Sequence, residues 1–111
     1  MKISVVIPVL NERASLPATI AALRACRGVM EIIVADGGST DGTVAWLQAQ
    51  PDIVLVRSIR GKGPQMNVGA AAAFDVSDAS NISDIALLFL HADCVISQPA
   101  IDALPAALAD Q

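Results

Sequence analysis

The sequence predicts an α/β protein: a Rossmann-like, doubly wound parallel sheet of about four strands with flanking helices. Four short runs are rich in β-branched or other apolar residues and lack polar alternation, at residues 3–7, 31–35, 53–56 and 85–90. Such runs are typical of strands that are covered on both faces. Segments with helical character follow the first three runs, and strands that alternate with helices form parallel sheets.

The first strand and helix have clear boundary signals. Pro8 is expected to end the strand at 3–7. Ser15 is a suitable N-cap with Pro17 in the first helical turn, and Gly28 is expected to close the segment. The apolar face of this helix consists of Leu16, Ile20 and Leu23.

The second and third units repeat this order of strand, glycine-containing loop and helix. The second unit has its strand at 31–35, its loop at 36–42 and helical residues through Val44 and Leu47. The third unit has its strand at 53–56, its loop at 61–64 and its helix at 65–74. Four consecutive alanines in the last helix favour helix formation and provide a face of small residues that packs closely on a sheet. The chain therefore contains three strand-helix units in succession.

The fourth strand follows a polar, turn-rich stretch at 75–84. The strand at 85–90 is the most apolar of the four, so we expect it to lie centrally in the sheet. A short extension at Val95 and Ile96 precedes a final helical segment. Its apolar positions are Ile101, Leu104 and Leu108, with Pro105 in its first turn or at a kink.

Composition excludes several classes of protein. The 111 residues are 54% apolar and 16% charged, which excludes intrinsic disorder, and the apolar run at 85–90 is too short to span a membrane. Pro8 and the polar residues 11–13 interrupt any secretion signal, so we expect a cytoplasmic protein with reduced cysteines. With a net charge of −4, no tyrosine and three other aromatic residues (one Trp and two Phe), the chain is a poor match for nucleic acid.

Charge is distributed unevenly along the chain. Residues 1–62 contain all seven basic residues and five acids, whereas 63–111 contain six acids and no base. The basic half suits a phosphate-bearing ligand and the acidic half suits a divalent cation, and two ordinary solvated faces are the alternative interpretation.

Polar motifs follow all four predicted strands, at 11–12, 36–39, 61–63 and 91–93. In a parallel sheet these motifs converge on one edge, where ligands bind. Each also has a structural interpretation, with Asn11 as a turn residue and Ser39, Asp41 and Asp93 as helix caps. Carboxylates beside an apolar core need partners. A divalent cation on a diphosphate would satisfy Asp93, and Asp36 is suited to accept hydrogen bonds from a base or ribose.

Two common nucleotide-binding loops are absent from the sequence. The glycine-rich turn at 36–42 lacks the G-x-G-x-x-G spacing, and no G-x-x-x-x-G-K-[ST] motif occurs. These absences disfavour a dinucleotide-dependent dehydrogenase and a P-loop enzyme.

Four ordered motifs resemble the amino-terminal half of family 2 glycosyltransferases with the GT-A fold. They are ISVVIPVLNE at 3–12, EIIVADGGSTDGT at 31–43, QMNVGA at 65–70 and LFLHAD at 88–93. The resemblance is to the bacterial branch with Gln-Met-Asn-x-Gly and His-Ala-Asp motifs. The chain departs from the common family pattern at Leu10, Gly37, Pro64 and His91, and in the length of 75–84.

The resemblance implies a site for a nucleoside-diphosphate sugar, with Mg²⁺ or Mn²⁺ as cofactor. It places the base among residues 8–12 and Asp36, the nucleotide against 65–69, and ribose or the metal ion at Asp93. The residues implied in nucleotide-sugar binding are Pro8, Leu10, Asn11, Glu12, Asp36, Gly38, Ser39, Gln65, Asn67, Gly69, His91 and Asp93, with Asp93 as the metal ligand. A metal on the diphosphate stabilises the developing charge of the leaving group.

The resemblance also implies that residues 1–111 form a single nucleotide-sugar-binding domain, cut short before the acceptor and catalytic-base half. Inverting transfer needs a general base, and neither Asp102 nor Asp110 matches the family position, so the catalytic residue is unknown. The expected function is binding of the donor for inverting glycosyl transfer, completed by a missing carboxyl-terminal half or by association with further copies.

Two alternatives remain open from the sequence. One is a non-catalytic nucleotide-binding or interaction module that associates through an exposed sheet edge. The other is a transition-metal site formed by His91, Asp93 and Cys94, since imidazole and thiolate favour zinc.

Overall fold

A computed structural model describes residues 2–72, 85–93 and 98–99. Four parallel strands form one sheet in the order β3-β2-β1-β4, with helices between the first three strands and after the third. The elements are β1 (Lys2–Val9), α1 (Leu16–Arg24), β2 (Val29–Asp36), α2 (Thr43–Gln48), β3 (Ile53–Arg57), α3 (Lys62–Ala72) and β4 (Ile85–Phe89). The predicted parallel α/β fold is confirmed. The expected loop at 75–84, the extension at 95–96, Cys94 and the helix containing Pro105 lie outside the described residues.

The core occupies both faces of the sheet because successive strand residues point to opposite sides. On one face, buried residues of β1 such as Val5 and Ile7 join the apolar side of α1 and Leu47 of α2. On the other face, Val6 and Ile33 form a smaller cluster against which Ala72 of α3 packs. The sheet is doubly wound, because α1 and α2 lie on one face and α3 lies on the other.

The predicted central position of the fourth strand is wrong. Within the described sheet β4 lies at one end and pairs with β1, from Lys2 opposite Ile85 to Val6 opposite Phe89. Apolar character indicates that the faces of a strand are covered, but it does not determine how many strands lie beside it. The two inner positions are those of β1 and β2.

The prediction that Pro8 ends the first strand is also wrong, because β1 continues through Pro8 to Val9. The carbonyl of Val6 accepts a hydrogen bond from the Leu90 amide, so the backbone of Val6 faces β4. Pro8 lies two residues further and faces the same side, beyond the last pair of that ladder. The missing N–H of proline therefore breaks no hydrogen bond of the sheet.

Two helix boundaries differ from the prediction. Helix α1 ends at Arg24, and Gly28, with φ of 94°, turns the chain into β2. Helix α3 begins at Lys62 and includes Gly63 and Pro64, which were expected in the loop. Proline is tolerated in a first helical turn because its missing N–H has no partner there. None of the helices in the described part of the chain has the length and apolarity that crossing a bilayer requires.

Candidate functional site

The turn after β2 is shaped by the buried carboxylate of Asp36, which is 2% exposed. Its Oδ2 accepts hydrogen bonds from the amides of Gly38 at 3.0 Å and Ser39 at 3.1 Å. Gly38 has φ of 107°, a conformation that glycine adopts without a steric cost. The backbone of its own turn therefore provides the hydrogen-bond donors that this buried carboxylate needs.

The loop after β1 is held to the loop after β2 through Asn11. Its backbone N–H donates to Ser39 Oγ at 2.9 Å, and its side-chain Oδ1 accepts the backbone amide hydrogen of Thr40 at 2.7 Å. Asn11 has φ of 55°, in the left-handed region that asparagine tolerates better than most residues. This is the turn role expected of Asn11, and it fixes two strand ends side by side.

A second contact between the same loops is formed by Asp41. Its carboxylate accepts hydrogen bonds from the hydroxyl and amide of Thr43 and from the Arg13 amide at 3.1 Å. The Thr43 hydroxyl contributes most, followed by the Arg13 and Thr43 amides, and together they hold the pKa of Asp41 below its usual value. The Arg13 guanidinium lies 5.4 Å from the centre of the Trp46 ring. Each of the two loops thus contacts a residue of α2, the loop after β2 through Thr43 and the loop after β1 through Trp46.

Gln65 of α3 joins the ends of β1 and β2 from the other side of the sheet. It is 5% exposed, and its Nε2 donates to the carbonyls of Val9 and Ala35, each at 2.8 Å. Its Oε1 accepts the amide hydrogen of Gly61 at 3.1 Å. The Gln65 side chain therefore bridges both central strands and the residue before α3.

A cleft opens where β1 and β4 end and α3 begins. Two adjoining cavities of about 240 Å³ and 120 Å³ share Pro8, Lys62 and His91 in their walls. The cavity of 240 Å³ is also lined by Val9, Leu10, Glu12 and Gln65, and the cavity of 120 Å³ by Met66, Phe89 and Leu90. A larger cavity of about 380 Å³ lies beside the start of β2, away from these strand ends, and none of the predicted site residues lines it.

The segment after β4 alternates between buried and exposed residues. Leu90 and Ala92 are buried in the core, whereas His91 and Asp93 are exposed. The hydroxyl of Thr19 on α1 donates to the carbonyl of Ala92 at 2.5 Å. This contact fixes the backbone between the two exposed polar residues.

The structure places the predicted site residues in four different settings. Pro8, Leu10, Glu12, Gln65 and His91 line the cleft, and Asn11, Asp36, Gly38 and Ser39 form the loop network beside it. Asn67 lies on the exposed side of α3. Gly69 lies on the buried side of the same helix, where an added Cβ would lie 2.4 Å from Val6 Cγ1. Asp93 is exposed just after β4.

Five residues that line the cleft were not on the list of predicted site residues: Val9, Lys62, Met66, Phe89 and Leu90. Lys62 carried a usable signal, because it is the basic residue of a glycine-rich loop at a predicted strand end. The other four are apolar residues and were expected to be core, although Val9 and Met66 lie within the segments that the resemblance places at the base and the nucleotide. Phe89 is instead 41% exposed.

Within the residues that the structure describes, no group of three His, Cys, Asp or Glu side chains is arranged to hold a metal ion. His91 and Asp93, which follow β4, are the described residues that the sequence suggested as metal ligands. Mg²⁺ is usually held by one or two carboxylates together with substrate phosphates and water. A single exposed carboxylate at this edge is therefore compatible with a magnesium-type site that the substrate completes.

Solved structures of other proteins have the same fold. TarS of S. aureus matches with a TM-score of 0.72 at 21% identity, over 99% of this chain and 33% of its own. Glucosyl-3-phosphoglycerate synthase of Mycobacterium tuberculosis, in complex with Mn²⁺, uridine diphosphate and glucosyl-3-phosphoglycerate, matches with a TM-score of 0.71 at 27% identity, over 96% and 39%. The chain thus spans between a third and two fifths of the length of these two solved chains, the first of which comprises TarS residues 1–349. A search of curated proteins found no match.

The model of one protein family covers almost all of the chain. It is described as glycosyl transferase family 2, and it matches residues 4–110. The four parallel strands, with polar loops and a cleft at their carboxyl ends, agree with this match. The chain belongs to glycosyl transferase family 2.

Proposed function

We propose that this chain forms the donor site of a glycosyltransferase and binds a nucleoside-diphosphate sugar for inverting transfer. The observation that carries the proposal is the cleft at the ends of β1 and β4, lined by Lys62, His91 and Glu12 in a member of family 2. Ligands of parallel α/β sheets bind beyond the carboxyl ends of the strands.

The charges around the cleft fit a nucleoside diphosphate. Lys62 lies in the first turn of α3, where the positive end of the helix dipole adds to its own charge. Glu12 and the loop network of Asn11 and Ser39 offer hydrogen-bonding groups to the less charged nucleoside. The diphosphate is therefore assigned to the Lys62 side of the cleft and the nucleoside to the β1 side.

Asp93 is the proposed ligand of a divalent cation, Mg²⁺ or Mn²⁺, held between the protein and the diphosphate. When bound, such an ion supplies neutralising charge for the leaving nucleoside diphosphate. Leu90 and Ala92, the buried residues on either side of His91, anchor the backbone that leads to the exposed Asp93. Inverting transfer also requires a base near the acceptor hydroxyl, and the residues described are assigned to the donor side only.

Nucleotide-bound neighbours support this function over that of a non-catalytic interaction module. TarS has been solved in complex with UDP and with UDP-GlcNAc, and the mycobacterial synthase with UDP and Mn²⁺. The match to each of these structures covers almost the whole of this chain.

The test is calorimetric titration of the chain with UDP and GDP, each with Mn²⁺ and with EDTA. We expect one nucleotide to bind, and Mn²⁺ to increase its affinity about tenfold, which corresponds to about 1.4 kcal/mol. Asp93→Asn should lose the Mn²⁺-dependent part and keep the rest. Asp52→Asn is the matched control, because Asp52 is exposed and pairs with Arg24 away from the cleft.

Two results would contradict the proposal. Binding of neither nucleotide under any condition would remove the donor site. An Asp93→Asn chain with the full Mn²⁺ effect would remove Asp93 as the metal ligand while leaving nucleotide binding in place.

A further inference from the structure

The side chain of Gln65 uses both of its hydrogen-bond donors, and its oxygen as an acceptor, within the protein. Both Nε2 hydrogens are donated to the carbonyls of Val9 and Ala35, and Oε1 accepts from the Gly61 amide. A buried amide with these three bonds has no donor left for a ligand. Although Gln65 lines the cleft, its polar groups are directed to the protein backbone.

Gly37 provides the space that this amide occupies. An added Cβ at position 37 would lie 2.6 Å from Gln65 Oε1 and 2.8 Å from its Cδ. Real Cβ atoms essentially never come so close to a neighbour. The glycine after Asp36 and the glutamine of α3 are therefore a steric pair.

The bridge lies directly beside Lys62. Gly61 precedes Lys62, and its amide is held by Gln65 Oε1, while the Gln65 amide in turn donates to the Gly61 carbonyl at 3.0 Å. These two bonds close the first turn of α3 on itself, in the manner of a capping box. The Nε2 bonds then attach that turn to the ends of β1 and β2.

We infer that Gln65 is a positioning residue, which fixes Lys62 at the cleft by bonding Gly61, Val9 and Ala35, and which does not bind the nucleotide itself. The inference rests on the proposed function, because it assigns Gln65 an indirect part in donor binding. If Gln65 acts through Lys62, its removal has no further effect on affinity once the lysine is gone.

A double-mutant cycle tests this with UDP and Mn²⁺ as the probe, or with GDP if that is the nucleotide the wild type binds. Gln65→Met removes all three hydrogen bonds and keeps the length of the side chain, and Lys62→Met removes the charge. We expect each single variant to bind about tenfold more weakly and the double variant to match Lys62→Met within about twofold. Gln50→Met is the matched control, because the side chain of Gln50 bonds to Trp46 and Arg24, away from the cleft.

A ligand-free measurement accompanies the cycle. Amide exchange of Gly61, followed by NMR, should be faster in Gln65→Met than in the wild type, because the Gly61 amide loses its acceptor. Gly37→Ala should have the same effect by pushing the glutamine away, and it provides a second route if Gln65→Met does not fold.

The outcomes separate the two claims. Additive losses, with the double variant about a hundredfold weaker than wild type, would show that Gln65 contacts the nucleotide independently and would overturn the inference. Unchanged binding in Gln65→Met would overturn it as well. A wild-type chain that binds no nucleotide would contradict the proposed function and end the role of Gln65 in binding, whereas the exchange rate of Gly61 would still show whether the bridge exists.

Discussion

At the scale of single residues, the position of α3 on the sheet depends on the absence of a side chain at Gly69. The glycine is buried, and an added Cβ would lie 2.4 Å from Val6 Cγ1 and 3.7 Å from the Cβ of Ala35. Val6 is fully buried in the centre of the sheet and has no room to move aside. The helix therefore approaches β1 more closely than any other residue at this position would allow.

Gly69→Ala is predicted to destabilise the fold by about 1–3 kcal/mol, the usual cost of overpacking a core. The control is Gly63→Ala in the same helix, where an added Cβ has nothing within 4 Å. Alanine favours the helix over glycine by up to about 1 kcal/mol in a helix interior, whereas the ring of the following Pro64 disfavours a helical residue with a Cβ at position 63, so Gly63→Ala should be close to neutral. Urea unfolding of both variants measures the difference. Equal midpoints would mean that α3 does not rest on Val6.

Residue types at the strand ends were predictable from the sequence, but the directions of their side chains were not. The resemblance placed Gln65 against the nucleotide, whereas its amide is bonded to the backbone of β1 and β2. Lys62 was assigned to a loop because glycine and proline surround it, and it begins a helix at the cleft instead. A sequence motif identifies which chemistry is present, and only the packing around each side chain decides which way it faces.

At the scale of elements, α1 and the end of β4 are joined by one buried hydrogen bond across 73 residues of sequence. Thr19, which is 1% exposed, donates its hydroxyl hydrogen to the Ala92 carbonyl. The Ala92 side chain lies in the same core cluster as Leu16 and Ile20 of α1. Helix α1 thus determines where the backbone between His91 and Asp93 lies.

Thr19→Val is predicted to cost about 1 kcal/mol and to loosen this segment, because valine keeps the shape and removes the donor. Thr19→Ser keeps the hydroxyl and should retain the position of the segment despite the lost methyl group. His91 is the only histidine in the chain, so its ring signal in proton NMR reports on the segment directly. We expect the signal to shift or broaden in Thr19→Val and to stay near its wild-type position in Thr19→Ser. Identical changes in both variants would attribute the effect to lost packing.

Within the described residues the predicted order of strands and helices is correct, and the errors concern which strands are neighbours. Apolar character suggested a central fourth strand, but the described sheet has β1 between β2 and β4. Pro8 was expected to stop β1, and it remains in the strand because, in the described sheet, the pairing of β1 with β4 ends at Val6. Both errors have one cause, since strand pairing is a long-range property that periodicity does not encode.

At the scale of the whole molecule, two exposed carboxylates connect parts of the chain that are 28 residues apart. Asp41 accepts the Arg13 amide and so joins the loop after β1 to the start of α2. Asp52 accepts two hydrogen bonds from the Arg24 guanidinium, at 2.7 Å and 2.8 Å, and joins the end of α1 to the start of β3. The first strand-helix unit is therefore tied to the second at one end and to the third strand at the other.

Both carboxylates have a lowered pKa in the folded protein. For Asp41 the main cause is the Thr43 hydroxyl, and for Asp52 it is the hydrogen bonds from Arg24. A carboxylate whose folded pKa lies below the ordinary value of 3.8 binds protons more readily in the unfolded chain. Its stabilising effect is therefore complete well above pH 3.8 and is lost as the pH falls through the lowered folded value.

We predict that the free energy of unfolding of the wild type decreases as the pH falls from about 5 to about 2.5. In the double variant with Asp41→Asn and Asp52→Asn, this free energy should decrease less over the same range. Each single variant should lie between the wild type and the double variant, because the two sites share no partner. Urea midpoints at several pH values measure this.

Salt separates the contributions of the two carboxylates. About 0.5 M NaCl screens the exposed charges of Arg24 and Asp52, whereas the hydrogen bonds to Asp41 come from uncharged donors. A double variant with the full acid sensitivity of the wild type would show that other carboxylates, and not these two ties, make the fold sensitive to acid.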